Sequence, residues 1–292
     1  MSMTADVLIE ALPYIRRFSN RRIVIKYGGA AMERESLIHS VMEDIVLIKY
    51  VGMRPIVIHG GGPKVSEWMD KVGKEPEFVE GLRVTDSETL EIAEMVLAGN
   101  INKGIVASIN QHGGQAIGLC GKDANIIVAE KHTPNISDDE GNETVVDIGY
   151  VGNIIGVNTR PIITLDEAGY IPVIAPNGIG VDGQTYNINA DTLAGEIASA
   201  LQAEKLIILT DIFGICKETE DPSTLLPTVL VRDIDGLIES GVITGGMIPK
   251  IGACKTALHG GVSKAHIIDG RIPHSILLEL LTEEGIGTEI IR

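Results

Sequence analysis

Two β-branched runs that end in consecutive glycines limit the fold of this chain more than any other feature. Residues 23–31 read IVIKYGGAA, and residues 54–63 read RPIVIHGGGP. Each is a short apolar run with the pattern of a strand buried on both faces, then a glycine turn, then a helical stretch. Apolar runs recur at 116–119, 126–129, 171–175, 206–210, 265–269 and 287–291. Helical patterns separate them at 33–51, 63–72, 87–98, 100–111, 162–168, 190–203, 234–240, 248–259 and 275–280. Residues 147–157 resume strand character after a polar loop or hairpin at 131–146. Such alternation predicts an α/β fold, a three-layer α/β/α sandwich around a mainly parallel central sheet. Aromatics make up only 3% against 44% apolar residues, so its core must be aliphatic. Ahead of the first strand, residues 4–18 place Val7, Leu8, Ala11, Leu12, Ile15 and Phe18 on one helical stripe, and Pro13 predicts a kink or restart there.

The formal charge of −16 argues against nucleic acid or an anionic membrane as partner, and any anion site must be a local positive island. Cys120, Cys216 and Cys254 show neither metal spacing nor a disulfide framework, which fits a reducing compartment. No leader is recognisable and no apolar run reaches about 18 residues, so a soluble cytoplasmic protein is expected.

The residues fit for chemistry are cations and backbone amides. Lys26 ends its strand just before Gly28 and Gly29, where it is either a phosphate-binding hand or a surface lysine before an ordinary turn. Three consecutive glycines at 60–62 exceed what a tight turn needs and favour anion binding. Arg83, in GLRVTD, could grip a carboxylate bidentately or pair with Asp86. In NINAD, Asn187, Asn189 and Asp191 share a face if the strand persists. Asn189 and Asp191 also suit the start of the next helix, and both roles can hold together. Lys250, behind Gly245, Gly246 and Met247, repeats the Lys26 arrangement. Thr210 and Asp211 end a strand where nucleotide contacts occur.

Other glycine motifs fail. There is no G-x-x-x-x-G-K-[ST] loop, and HGGG has no G-x-S-x-G nucleophile to serve. The glycines at 178, 180 and 183 precede an extended segment rather than the helix a dinucleotide site requires. No metal-ligand cluster is visible. Cations and amides without a nucleophile suit phosphoryl transfer, where positioning and charge neutralisation carry the reaction.

KYGG, VIHGGGP, GLRVTD, NINAD, LTD, GGMIPK and HSILLELLTEEGIGTEI together resemble the amino acid kinase family, in particular its acetylglutamate-phosphorylating branch. The resemblance spans nearly the whole chain. It implies an eight-stranded, mainly parallel sheet, ATP with Mg2+, and phosphorylation of the γ-carboxylate of N-acetyl-L-glutamate in arginine biosynthesis. It implies an oligomerisation helix at 1–20, an acetylglutamate lobe at 21–190, and an ATP and arginine lobe at 191–292. Lys26 and Lys250 match the lysines that neutralise the transferring group, and Asp191 matches the carboxylate that organises them. Gly61, Gly62, Arg83 and Asn187 match the acetylglutamate site. Lys26, Gly28, Gly29, Thr210, Asp211, Met247 and Lys250 are assigned to ATP. Many members have an aspartate where this chain has Gly245, so no side chain acts there. The N-terminal helix with Lys205, Glu279 and Gly285 resembles the arginine-inhibited branch. That branch implies arginine as inhibitor and a hexamer arranged as a trimer of dimers, and it leaves room for a nitrogen-signalling regulator. The competing readings are a kinase for another small acid or carbamate, a non-catalytic arginine sensor, and a dinucleotide dehydrogenase. Aspartokinases and glutamate 5-kinases commonly carry further C-terminal domains, which counts against them.

Overall fold

The valine- and isoleucine-rich runs lie side by side at the centre of one eight-stranded sheet. The computed structural model describes residues 2–32, 34–137, 143–218, 221–283 and 285–292. Its strands are β1 (Arg22–Tyr27), β2 (Arg54–His59), β3 (Phe78–Val79), β4 (Leu82–Arg83), β5 (Ala116–Cys120), β6 (Ile127–Lys131), β7 (Asn135–Ser137) and β8 (Glu143–Val145). They continue with β9 (Gly152–Val157), β10 (Ile171–Ala175), β11 (Asn177–Ile179), β12 (Thr185–Asn187), β13 (Lys205–Thr210), β14 (Thr228–Leu230), β15 (Lys264–Asp269) and β16 (Thr288–Ile291). The helices are α1 (Ser2–Phe18), α2 (Glu35–Tyr50), α3 (Gly62–Lys71), α4 (Ser87–Glu94), α5 (Asn102–Gln111), α6 (Arg160–Glu167), α7 (Ala190–Ala200), α8 (Ile234–Glu239), α9 (Met247–His259) and α10 (Ser275–Leu281).

The main sheet runs β14-β16-β15-β13-β1-β2-β10-β5. It is parallel from β15 to β5, and only the β16–β14 edge runs the other way. Alternation along each strand feeds two cores. Val24, Ile56, Ile58, Leu206 and Ile208 pack against α7 and α9 on one face. Ile23, Ile25, Val57, Ile207 and Leu209 pack against α2, α5, α10 and the end of α1 on the other. The expected three-layer arrangement follows from this two-sided burial. A smaller sheet, β12-β11-β6-β9, caps the first half of the chain.

Three local expectations are corrected. Pro13 lies inside a single helical span, Ser2–Phe18, with no restart. Residues 87–111 form one helical path instead of two helices. Residues Met95–Ile101 take wider, π-type turns that absorb Gly99 without breaking the axis. Strand character after the polar loop begins at Gly152; Gly149 and Val151 make only isolated bridges, to Thr85 and Asn187. The loop itself is the β7–β8 hairpin, and residues 138–142 between its strands lie outside those described.

One glycine controls how closely α7 packs on α9. A Cβ on Gly195 would lie 2.6 Å from the Ala253 carbonyl oxygen and 2.8 Å from its Cα. Glycine there lets α7 and α9 touch backbone to backbone, which fixes the two helix N-termini relative to each other.

Candidate functional site

Those N-termini meet the C-terminal ends of β1, β2 and β13, where ligands of open α/β sheets bind. Lys26 follows Val24 on the α7 side of β1, in period-two register, and is 7% exposed. Asn189 caps α7, its Oδ1 accepting from the amides of Asp191 at 2.9 Å and Thr192 at 3.0 Å. That cap leaves Asp191, 6% exposed, free to project from the first turn. Its Oδ1 lies 3.0 Å from Lys26 Nζ, and Lys250 Nζ donates to its Oδ2 at 3.0 Å. Burial alone would push the Asp191 carboxyl up, but the two ammonium groups override it and hold the group below the usual carboxylate range. One carboxylate therefore holds two lysines drawn from opposite halves of the chain, with net positive charge left over.

Two cavities adjoin this triad. The smaller, about 260 Å³, is lined by Lys26, Gly60–Gly62, Arg83, Asn187 and Asp191 among others. Arg83 is buried, and its Nη2 donates to the Gly62 carbonyl at 2.9 Å and to Ser66 Oγ at 2.8 Å. Its guanidinium lies 4.7 Å from the centre of the Phe78 ring. Among the described residues no carboxylate pairs with it: Asp86 is taken by Lys74 at 2.6 Å and by the Thr89 amide at 2.8 Å. A buried guanidinium with only neutral partners has capacity for an incoming anion. Asn187 is oriented by its bond to Thr85 Oγ1 at 3.3 Å.

The larger cavity, about 510 Å³, is lined by Thr210, Asp211, Phe213, Met247, Lys250 and Arg271, with apolar walls from Ile212, Ile215 and Val242. Gly29, expected with the nucleotide, lines the smaller cavity instead. Gly28 is wedged between Lys26 and Gly60; a Cβ there would sit 3.0 Å from Lys26 Nζ. The first glycine turn thus folds back toward the second. Gly245 adopts φ +51° with open space around its Cα, so its role is conformational.

A third cavity, about 280 Å³, gathers Lys205, Glu279 and Gly285 with Tyr14, Arg17 and Phe18 of α1. Burial pushes the Lys205 ammonium down to about 8. Burial also opposes ionisation of Glu279, yet His266, whose Nδ1 lies 2.6 Å from Glu279 Oε1, and the Ile286 amide keep its pKa below the ordinary value.

Several site residues escaped the sequence reading. Phe78 and Thr85 lie within residues 73–86, which show no helical or strand periodicity yet contain the β3–β4 hairpin, and Ser66 reaches the site from within α3. Asp269 and Arg271, joined at 2.8 and 2.9 Å beside the larger cavity, were detectable in principle because IID ends a strand as LTD does.

Known proteins resemble this chain in sequence and in fold. The model of the amino acid kinase family matches residues 21–269. A protein of Pelotomaculum thermopropionicum named acetylglutamate kinase is 55% identical over 98% of this chain and 97% of its own length. One of the same name from Heliobacterium modesticaldum is 51% identical over 99% and 98%. Among solved structures, N-acetylglutamate synthase from Neisseria gonorrhoeae complexed with coenzyme A and N-acetyl-glutamate superposes with TM-score 0.83 at 28% identity, covering 99% of this chain and 63% of the synthase. Its complex with coenzyme A and L-arginine gives 0.80 at 26%, covering 98% and 65%. A family match over most of the sequence and full-length relatives at more than half identity carry one conclusion: the chain belongs to the amino acid kinase family.

Proposed function

We propose that the chain transfers the γ-phosphoryl group of ATP to the γ-carboxylate of N-acetyl-L-glutamate. The observation that carries this reading is the junction itself, where Lys26 and Lys250 share Asp191 between a cavity with an uncommitted arginine and a larger, partly apolar one. Relatives named acetylglutamate kinase, aligned end to end, supply the substrate.

The smaller cavity takes acetylglutamate, with Arg83 and Asn187 on its polar groups and Gly61 and Gly62 offering amides. The larger takes ATP, with Thr210, Asp211 and Met247 beside the nucleotide; magnesium arrives with ATP and tempers its phosphate charge. Gly28 and Gly29 close the phosphate end beside Lys26. As the phosphoryl group moves, negative charge spreads over its equatorial oxygens, and the two lysines face it from either side. Asp191 keeps both ammonium groups in place and apart. Residues 21–190 form the acceptor half and 191–292 the nucleotide half.

Arginine inhibits through the third cavity, its carboxylate toward Lys205 and its guanidinium toward Glu279, beside the turn at Gly285. Support comes from the Neisseria synthase, which shares this fold and has been crystallised with L-arginine bound. The apolar residues Ile9 (66% exposed) and Leu12 (45%) on α1 are covered in a homo-oligomer, a hexamer built as a trimer of dimers. No helix among the described residues is long and apolar enough to cross a membrane, and the reaction is cytoplasmic. A coupled assay for ADP release with acetylglutamate, glutamate and aspartate in parallel tests the assignment. Turnover with acetylglutamate well above the other two is expected; preference for either free amino acid overturns it.

A further inference from the structure

The imidazole of His59 is fully buried at the end of β2, directly before the three glycines, and lines none of the three cavities described above. Its hydrogen bonds have a direction that its neighbours fix. Nδ1 lies 2.8 Å from the Gly60 carbonyl oxygen, which can only accept, so Nδ1 carries the proton. Nε2 is then an acceptor, and Asn102 Nδ2 lies 3.2 Å from it. The Asn102 amide is oriented in turn by Lys103 Nζ, a pure donor, 3.0 Å from Asn102 Oδ1. The same Nδ2 also reaches the Val173 carbonyl at 3.0 Å and the Leu119 carbonyl at 3.3 Å, tying the group to β10 and β5. Polarity thus runs one way, from the Lys103 ammonium through Asn102 and His59 to the Gly60 oxygen. Burial lowers the His59 pKa to about 4, with Lys103 adding to the effect, so the ring stays neutral at physiological pH.

The Gly60–Gly61 peptide is trans, so its N–H points opposite to its carbonyl. With the Gly60 oxygen held against His59 in the interior, the Gly61 amide faces the cavity that Gly61 lines. Neither Gly61 nor Gly62 donates its amide to a protein acceptor among the described residues. The floor beneath this turn is equally fixed: a Cβ at Gly61 would lie 2.3 Å from Ile101 Cδ1 and 2.8 Å from Leu97 Cδ2, both on the wide turns that deliver Asn102. We propose that His59 is a positioning residue, whose Nδ1–H clamps the Gly60 carbonyl and so turns the Gly61 amide toward the acceptor carboxylate and its developing acyl phosphate. The proposal deepens the acetylglutamate kinase reading and rests on it.

The test has two parts. In wild-type protein labelled with 15N-histidine, His59 should show the neutral form protonated on Nδ1 from pH 7 down to pH 5. An Nε2-protonated ring, or titration near the ordinary histidine value, overturns the proposal whatever the substrate. In kinetics, wild type is assayed first, because lack of turnover with acetylglutamate refutes the substrate reading and not the clamp. Given wild-type turnover, His59→Leu should lower kcat at least tenfold with KM for ATP changed less than about twofold, since an amide that meets developing charge acts in the transition state. His59→Asn places an amide donor where Nδ1 stood and should recover kcat to within about threefold of wild type. A His59→Leu enzyme with unchanged kcat, or an Asn variant no better than Leu at equal thermal stability, refutes the clamp.

Discussion

Replacing Asp191 with asparagine should expose how much of this molecule is held by one carboxylate. The change keeps shape and removes one negative charge from between two ammonium groups, each 3.0 Å away and largely out of water. At that distance the direct attraction is several kcal/mol per pair even at an effective dielectric of about 20, but most of it offsets the burial of the charges. The net loss is what breaking a buried pair by removing one partner costs, about 3–5 kcal/mol. For a chain of this size that corresponds to roughly 6–10 °C in Tm. The Asp191 pKa is held down in the fold, so this stabilisation is complete above the unfolded carboxylate range, near pH 4, and is lost as pH falls through the lower folded value. The asparagine variant should therefore differ most from wild type at neutral pH and converge with it in acid. Thermal melts from pH 7 to pH 3 check the trend. A double variant, Asp191→Asn with Lys250→Met, should recover about 1–3 kcal/mol relative to Asp191→Asn alone, because one stranded charge is gone. If Asp191→Asn melts within about 2 °C of wild type at pH 7, the two lysines are not held in place by this carboxylate.

Lys26→Ala and Lys250→Ala should each cut kcat about 100-fold or more with smaller changes in KM, as expected for groups that act on the moving charge. Arg83→Ala should raise KM for acetylglutamate and leave kcat and KM for ATP nearly unchanged, since its fork binds ground and transition states alike. Deleting residues 1–19 should give a smaller active species with weaker, non-cooperative arginine inhibition, whereas Glu279→Ala should weaken inhibition at unchanged assembly size; light scattering and arginine titration separate the two. Asp44, buried with its Oδ1 2.7 Å from His274 Nδ1, has its pKa pushed up by burial to about 6. A raised folded pKa contributes stability below about pH 4 that is lost as pH rises through 6, so Asp44→Asn should remove up to about 3 kcal/mol of that pH dependence in urea titrations at pH 4 and 6.5.

What could be read in advance was whatever repeats with a period or sits at a strand end. Ile23, Val24 and Ile25 declared a strand buried on both faces, and Lys26 and Thr210 stood at strand ends where ligands gather. Asp191 was legible because helix N-termini carry few chemical meanings, and Asn189 supplies the cap expected for a helix beginning at Ala190, with Asp191 in its first turn. The neighbours of Arg83 were not legible, because Ser66 comes from a helix, Phe78 from a two-residue strand, and Asp86 is diverted by Lys74. Only tertiary packing decides such a competition. The helical break expected near Gly99 failed for a related reason: wider turns accept a residue that local propensity reads as a stop. Gly195 carries no local signal at all, since its purpose emerges only when α9 arrives.

The register between β1 and β13 has a mechanical consequence. Ile23, Val24, Ile25 and Lys26 pair with Lys205, Leu206, Ile207 and Ile208, so the first and last parts of the chain are stitched by backbone hydrogen bonds along a seam closed to water. A hinge that parted β1 from β13 would have to break that ladder in the driest part of the molecule, leaving amides and carbonyls with nothing to bind. Substrate access must therefore be accommodated by twisting the sheet as a whole and by shifts of its outer strands. The amides of β1 and β13 should be the last in the chain to exchange with deuterium, opening only on global unfolding, while both cavities breathe around them.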